Sequence, residues 1–464
     1  MALVIKEVSE NSKFLELFSK AAHPYSRAVF EIALIRIWKK HSGQSESSSR
    51  DYFSDFIVSC GNRRLSDDLA KALDIFIKEK HAQKLGKNLL IRQLRLDLST
   101  SARNNFLDSI QKITLSCLQT PYPPKGHWIY EEAAAYNCWK DWIVSGHQPD
   151  SRIPRKPLLH INPSNLQLVV HEAESCIIRD AADSSIIAVV MRNFCGHPGV
   201  LSWVDEVICD VVQEKKSIRL EDPGILAQIG YSAGSRSASK FDWVKNLLTT
   251  RLSSDEVDAL DFSSSSVFAL FWNMCKASLP QEIIGDFCNF LEANNICRMD
   301  RVGNSTNNLN PLGRYVVGTG ENGVYYEFNG VEMAPPAGVF ALNYSRATHS
   351  EIQPHKFALS WTTNRSPQSI GGHFYTSSHG IQIKSASNTL VVWQPKDVHG
   401  TSLQVRNPDD PNPAFIQTGM AIVTSNRLPN AWKKYRDTNS GITQLQLELQ
   451  GEEVDDTPDT YPTT

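Results

Sequence analysis

From about residue 310 to 425 the sequence breaks into seven short apolar runs: RYVVG, GVYYEF, FALNYS, KFALSWTT, GIQIKS, TLVVWQP and GMAIVTS. Gly, Asn, Pro and Ser separate them. Short runs rich in Val, Ile, Tyr, Phe and Trp between turn residues read as strands, and several at roughly ten-residue spacing argue for a sandwich or barrel. Three shorter β-rich runs, LQLVVHEA, CIIRDA and SIIAVVMRNF, precede them.

The first third has another texture. Residues from about 10 to 145 read as helical. Val29, Ile32, Leu34, Ile35 and Ile37 stand at helical spacing, Ser66 opens SDDLAKALDIFIKEKH as an N-cap, and HWIYEEAAAYNCWKDWIV is a third candidate. Gly43–Ser49 is a loop or linker, and Pro and Gly break the chain again at Ser145–Pro157. Further helices are expected in VLSWVDEVICDVVQEKK, FDWVKNLL and SLPQEIIGDFCNFLEANN. The division expected is a helical region over 1–150, a β core with inserted helices over 151–450, and a disordered acidic, Pro/Thr-rich tail over 451–464.

Composition narrows the function. With 464 residues and a net charge of −3, the chain is no polycation, so any nucleic-acid surface must be a local basic groove. The nine cysteines stand singly, with no CxxC pair, against a disulfide framework or a Cys-rich zinc module and for a reducing interior. No apolar run reaches 18 residues, and no secretory signal is legible at the start.

Three motifs compete for the chemistry. Gly318, Gly320 and Gly323 form a literal GxGxxG, but a dinucleotide site needs a helix immediately after it, and VYYEFNG is strand. Gly230, Ser232 and Gly234 form a literal GxSxG, which needs strand, elbow and helix plus an oxyanion stretch that is not found here. The third is a concentration of histidines: His349, His355, His373, His379 and His399. Residues i and i+2 of a strand share a face, so His349 and Glu351 can present an imidazole and a carboxylate to one point. His399 on a neighbouring strand completes a two-His-one-carboxylate triad of the kind that holds Fe(II) with open positions; a set of turn histidines on a polar face is the plainer alternative.

At this stretch the sequence resembles the TET/JBP dioxygenases, most closely their fungal branch. FWNMCKASLPQEIIGDFCNFLEANNICRMDR, ENGVYYEFNGVEM, NYSRATHSEIQPH, GGHFYTSSHGIQI, LVVWQPKDVHGTSL and GMAIVTSNRL occur in the family's order, and IRLEDPGILAQIGYSAGSRS looks like the same branch. The resemblance covers about 155 to 430. It implies an α+β fold, a double-stranded β-helix (jelly-roll) core, with Fe(II), 2-oxoglutarate as co-substrate and O2. It implies oxidation of 5-methylcytosine in DNA, with N6-methyladenine as a further substrate, in a nuclear protein with no membrane association. A same-fold oxygenase acting on a protein or small molecule, and a catalytically inert DNA-binding relative, are the alternatives.

Carried over, His349, Glu351 and His399 look like the metal ligands; the family usually has Asp where this chain has Glu351, one methylene longer. His373 matches a histidine near 2-oxoglutarate, and Arg298 or Arg301 an arginine that reaches it. Oxygenases of this fold often grip the C5 carboxylate with an arginine on the strand after the distal histidine. Gly419 stands near that place, leaving Arg406, Arg427 and Arg298 as candidates. A methylated base must leave the stack to react. Tyr344, His355, Trp361 and Phe374 are the candidate base contacts, and Arg236, Lys240, Arg346, Lys356 and Arg365 the candidate phosphate contacts.

Overall fold

In the computed structural model the β-rich half forms two main sheets. The structure describes residues 82, 84–144, 154–235, 238–248, 252–301, 311–320, 324–410 and 413–439. The chain divides into two units, Met1–Leu90 and Ile91–Thr464. The described residues of the first are helical; all that follows lies in the second. The helices expected around Val29–Ile37 and Ser66, the Gly43–Ser49 loop and the 451–464 tail lie outside the described residues.

The order runs α1 (Thr100–Ser109), β1 (Gln111–Leu115), β2 (Trp128–Tyr130), α2 (Ala133–Val144), β3 (Leu158–His160), β4 (Leu168–Val170), β5 (Cys176–Asp180), β6 (Ile186–Arg192) and α3 (Pro198–Glu214). It continues with β7 (Ile225–Gly234), β8 (Ser239–Trp243), α4 (Ser254–Ser278), α5 (Gln281–Asn294), β9 (Leu312–Gly318), β10 (Tyr325–Glu332), β11 (Ala337–Leu342) and β12 (Ala358–Arg365). It closes with β13 (Phe374–Thr376), β14 (Ile381–Ile383), β15 (Thr389–Trp393), β16 (His399–Thr401), β17 (Gln417–Ile422) and α6 (Leu428–Asn439).

This is a mixed α/β fold. A nine-stranded sheet has the order β1-β5-β6-β15-β12-β17-β11-β7-β8, and a four-stranded sheet the order β16-β13-β14-β4. Both are mostly antiparallel, with β1 parallel to β5 and β4 parallel to β14. Side chains from both sheets meet in one apolar cluster: Ile178, Ala188, Val190 and Val391 from the large sheet, Val170, Ile381 and Ile383 from the small one. Each such fully buried branched side chain contributes about 1.5–3 kcal/mol. Alternation matters here. Phe374 and Thr376 turn to one face of β13 and Tyr375 to the other, where it packs with Ile129 and Ile161.

Helices cover the outer face of the large sheet. α3 starts at His197, whose Nδ1 accepts from the Val200 N–H at 3.2 Å, with Pro198 in the first turn. α4 starts with a capping box: Ser253 caps the Glu256 N–H, and the Glu256 carboxylate accepts from the Ser253 N–H. Phe271 of α4 and Phe194, in the turn between β6 and α3, pack on Trp361 of β12, and Phe268 of α4 stacks on Phe340 of β11.

Two local expectations are corrected, and the reading of the GxSxG stretch as a turn agrees with the structure. FDWVKNLL begins as strand β8, because Phe241 and Trp243 pack across the hairpin on Tyr231, with centroids 4.7 and 5.2 Å away. Cross-strand aromatic pairing outweighs an eight-residue apolar pattern that fits either period. Within the region expected to be helical, Gln111–Leu115 and Trp128–Tyr130 are strands, and β1 extends the large sheet. Gly230-Tyr-Ser-Ala-Gly234 closes β7 and turns into β8, so no helix follows Ser232 and no nucleophile elbow exists. Gly318 ends β9, which pairs antiparallel with β10, as expected of a hairpin.

Candidate metal centre

An isolated β-bridge after β11 and the head of β16 bring the triad together. His349 and His399 form an antiparallel bridge, each backbone N–H donating to the other's carbonyl at 2.8 Å. This pairing sets the imidazoles side by side, centroids 4.3 Å apart. Glu351 follows two residues on, its own N–H anchored to the Pro395 carbonyl at 2.8 Å. Its Oε1 lies 3.5 Å from His349 Nε2. One ligand atom from each of the three lies within 4.8 Å of the others.

The tautomers are set by the backbone. His349 Nδ1 lies 2.9 Å from the Ala347 carbonyl, and His399 Nδ1 2.8 Å from the Asp397 carbonyl. A carbonyl only accepts, so each Nδ1 carries its proton and each Nε2 offers a lone pair. Burial, then the neighbouring His399 and Arg346, push the His349 imidazole down to about 3, so it is neutral at ordinary pH. Burial works to raise the Glu351 carboxyl, but the adjoining His349 ring and the Arg346 guanidinium outweigh it and hold it well below the usual carboxylate range. Two imidazole nitrogens and one carboxylate are the donor set of a facial Fe(II) site.

Charged side chains back this set. Arg346 Nη1 hydrogen-bonds Glu351 Oε1, and its Nε lies 3.6 Å from Asp222 Oδ2. The Tyr344 hydroxyl donates to the same Asp222 oxygen at 2.5 Å. Arg219 stands 3.9 Å from Glu351 Oε1. Burial raises the Asp222 carboxyl against the pull of Arg346 and Tyr344.

The triad forms part of the wall of a cavity of about 270 Å³ between the sheets. Leu226, Val339, Phe374, Ile383, Val391 and Met420 supply its apolar lining. Arg192, at the end of β6, adds a cation: its Nη1 donates to Thr389 Oγ1 at 3.2 Å, its Nε to the Glu174 carbonyl at 3.1 Å and its Nη2 to the His171 carbonyl at 2.8 Å. Those contacts use three of its five N–H groups and no carboxylate.

The other expected residues are sorted by this cavity. Tyr344 and Phe374 line it, and the Phe374 ring lies 5.9 Å from His399. Trp361 borders it, but its ring packs on Phe194 and Phe271, and its indole N–H donates to Asn388 at 3.3 Å. His355 is packed away from it, 4.3 Å from the Phe287 ring, with Nδ1 2.6 Å from the Phe357 carbonyl. His373 faces the other side of the small sheet: Nδ1 accepts from the Ser385 N–H at 3.0 Å, and Nε2 lies 3.6 Å from Glu131. Glu131 there also accepts from Ser402 and Tyr375 at 2.6 and 2.8 Å, and burial raises its carboxyl.

The four expected arginines are engaged elsewhere. Arg298 pairs with Glu332 at 2.9 Å, Arg301 with Asp258, Arg406 lies over the Trp139 ring, and Arg427 donates to the Gly234 and Ser235 carbonyls. None lines the cavity. Gly419 does, and a Cβ there would meet the Trp361 carbonyl oxygen at 2.7 Å, so β17 has no room for a side chain at that place. Among the phosphate candidates, Lys240 pairs with Asp242, Lys356 lies over Phe357, and Arg365 donates to the Ser369 and Gly371 carbonyls. Arg236 lies outside the described residues. Sequence reading missed Arg192, Arg219 and Asp222. MRNF at the end of a strand held the only signal for Arg192, a cation where the chain leaves the core.

No family model and no curated protein matches the sequence. Among solved structures the chain is similar to one described as NgTET1 in complex with 5mC DNA, at 9% identity, covering 58% of this chain and 86% of that one, with a TM-score of 0.34. It is also similar to an oxidoreductase of the 2OG-Fe(II) oxygenase family from Burkholderia pseudomallei, at 11% identity over 52% of this chain and 87% of that one, TM-score 0.25. A third is IDO from Bacillus thuringiensis, at 9% identity over 52% and 90%, TM-score 0.24.

Proposed function

We propose that the protein is an Fe(II)- and 2-oxoglutarate-dependent dioxygenase acting on 5-methylcytosine in DNA. One observation carries the metal part: His349 Nε2, His399 Nε2 and a Glu351 oxygen converge on a cavity wall, with both Nδ1 protons committed to backbone carbonyls. The strand order supports the core. β11-β17-β12-β15 run together in the large sheet, and β16-β13-β14 face them, with His349 bridging to β16. Two facing sheets of this kind support the reading of a double-stranded β-helix core.

Bound by the triad, iron(II) with 2-oxoglutarate and oxygen would supply oxidation of a methyl C–H bond. The chain's part is to bind, orient and exclude water. His349, Glu351 and His399 would hold the metal. Arg192 would hold the acidic co-substrate: it lines the cavity, has N–H groups left over, and its planar fork suits a carboxylate. Phe374 and the Val391 and Met420 side chains keep that part of the cavity dry. Tyr344 and Phe374, which line the cavity, would contact a base swung out of the stack, at a cost of a few kcal/mol in unstacking. Arg219, at 39% side-chain exposure, is placed to meet a phosphate.

The test is nucleoside mass spectrometry on 5-methylcytosine DNA incubated with the protein, Fe(II) and ascorbate, with and without 2-oxoglutarate. Hydroxymethyl, formyl or carboxyl products that need 2-oxoglutarate and vanish in His349→Ala are expected. Unchanged 5-methylcytosine with metal bound would move the substrate elsewhere, with N6-methyladenine DNA tested next. Loss of metal binding in the wild type would remove the oxygenase reading itself.

A further inference from the structure

We infer that Arg346, held by Asp222, is a positioning residue that fixes the Glu351 carboxylate for metal ligation and makes a glutamate workable at this place. The inference rests on the metal reading above and goes beyond it.

A glutamate has one more rotatable bond than an aspartate. Left alone it would spread its carboxylate over a wider volume than the two fixed imidazoles can use. In this chain the carboxylate is not left alone. Arg346 Nη1 hydrogen-bonds Oε1, the same oxygen that lies 3.5 Å from His349 Nε2. A carboxylate oxygen has two lone pairs, so an oxygen that accepts from Arg346 can still face a cation shared with the imidazoles.

Arg346 is itself fixed. Its side chain is 11% exposed, and its Nε lies 3.6 Å from Asp222, whose side chain is 1% exposed. Asp222 is fixed in turn by the Tyr344 hydroxyl at 2.5 Å. The backbone closes the loop, since the Arg346 N–H donates to Thr401 Oγ1 at 2.7 Å, two residues from His399. The chain of contacts therefore runs from one ligand strand to the other through a guanidinium.

Charge argues for positioning over competition. An arginine beside a dication repels it, which would make Arg346 a rival for Glu351. Asp222 cancels that charge locally, so Arg346 and Asp222 approach the site as a near-neutral pair. Outer partners that orient ligands typically contribute 10–100-fold to metal affinity.

The two roles give opposite signs, and Co(II) titration of the full chain reads them. The Co(II) visible band also reports coordination number. Removing Arg346 alone would leave the buried Asp222 carboxylate without its guanidinium partner, so the variant of choice is Arg346→Gln combined with Asp222→Asn, with Arg346→Lys beside it. Positioning predicts a 10–100-fold weaker Co(II) Kd in the double variant, a smaller loss in Arg346→Lys, and a changed visible band. It also predicts non-additivity: in a Glu351→Asp background, whose shorter carboxylate no longer reaches Arg346, the double variant costs less than threefold further. Unchanged or tighter Co(II) binding, or full additivity with Glu351→Asp, overturns the inference. If the wild type binds no Co(II), it is the metal reading that fails. Circular dichroism keeps misfolding apart from both, and Arg346→Lys serves if the double variant does not fold.

Discussion

At the scale of single residues the site rests on which nitrogen carries a proton. Both imidazoles give Nδ1–H to the carbonyl two residues earlier in the chain, so His399→Gln should not imitate His399. We expect His399→Gln and His349→Gln each to lose metal binding by at least 100-fold while circular dichroism stays native. Retained affinity would place the metal elsewhere. Arg192→Met should weaken 2-oxoglutarate binding about 10–100-fold, the value of a charge-assisted pair, and leave Co(II) affinity unchanged. Isothermal titration with metal and co-substrate added in turn separates the two, and equal affinities would release Arg192 from the role. His349, Glu351 and His399 were legible as a triad from the i, i+2 spacing and a third ligand at the head of a strand, although His349 stands on an isolated bridge and Glu351 beyond it in irregular chain rather than on one strand. Arg219 and Asp222 were not, because their contacts cross more than a hundred residues and local sequence holds no trace of that pairing.

At the scale of elements, legibility followed periodicity. Strands β11, β12, β15 and β17 could be read because alternating apolar residues fill both sides of a buried sheet. Helix α4 could not, because Ser263–Ser266 looks like a turn. In the structure Ser264 and Ser265 donate to the Leu260 and Phe262 carbonyls, and Ser266 accepts from the Val316 N–H of β9. Serines that bond back to their own helix are silent to a pattern search. The start of α4 gives a test. Ser253→Ala removes the hydroxyl half of its capping box, leaves the Ser253 N–H to the Glu256 carboxylate, and should cost about 1 kcal/mol in urea unfolding with m unchanged. At Gly338, where a Cβ would lie 2.3 Å from the Phe268 ring, Gly338→Ala should cost about 1–3 kcal/mol by overpacking. A neutral Gly338→Ala would mean that α4 slides freely on β11.

At the scale of the whole molecule, buried histidines set the response to acid. Burial foremost pushes His349 and His373 down to about 3 and His355 to about 4. In the unfolded chain each takes up a proton near pH 6.5. Below that pH the unfolded state binds protons that the native state refuses. Stability present above pH 6.5 is therefore lost as pH falls toward 3–4, by about 1.4 kcal/mol per pH unit for each such group. Glu131 and Asp222, raised by burial, pull the other way once their carboxyls protonate in the folded state. The metal-free protein should melt several degrees lower at pH 5.5 than at 7.5. A flat Tm over that interval would contradict the buried, neutral state of these rings.

The partner of His373, Ser402 and Tyr375 is Glu131, which sits between β2 and α2, and β1 seals the edge of β5. The stretch from 100 to 144 is thus stitched into both sheets, which bears on where a gene may be cut. A shortened chain beginning at Ser151 would shed that stretch, strand the hydroxyls of Tyr375 and Ser402, and present the bare β5 rim of the remaining eight-stranded sheet to its neighbours in solution. Such a fragment should come out of cells as inclusion bodies, however complete its set of metal ligands.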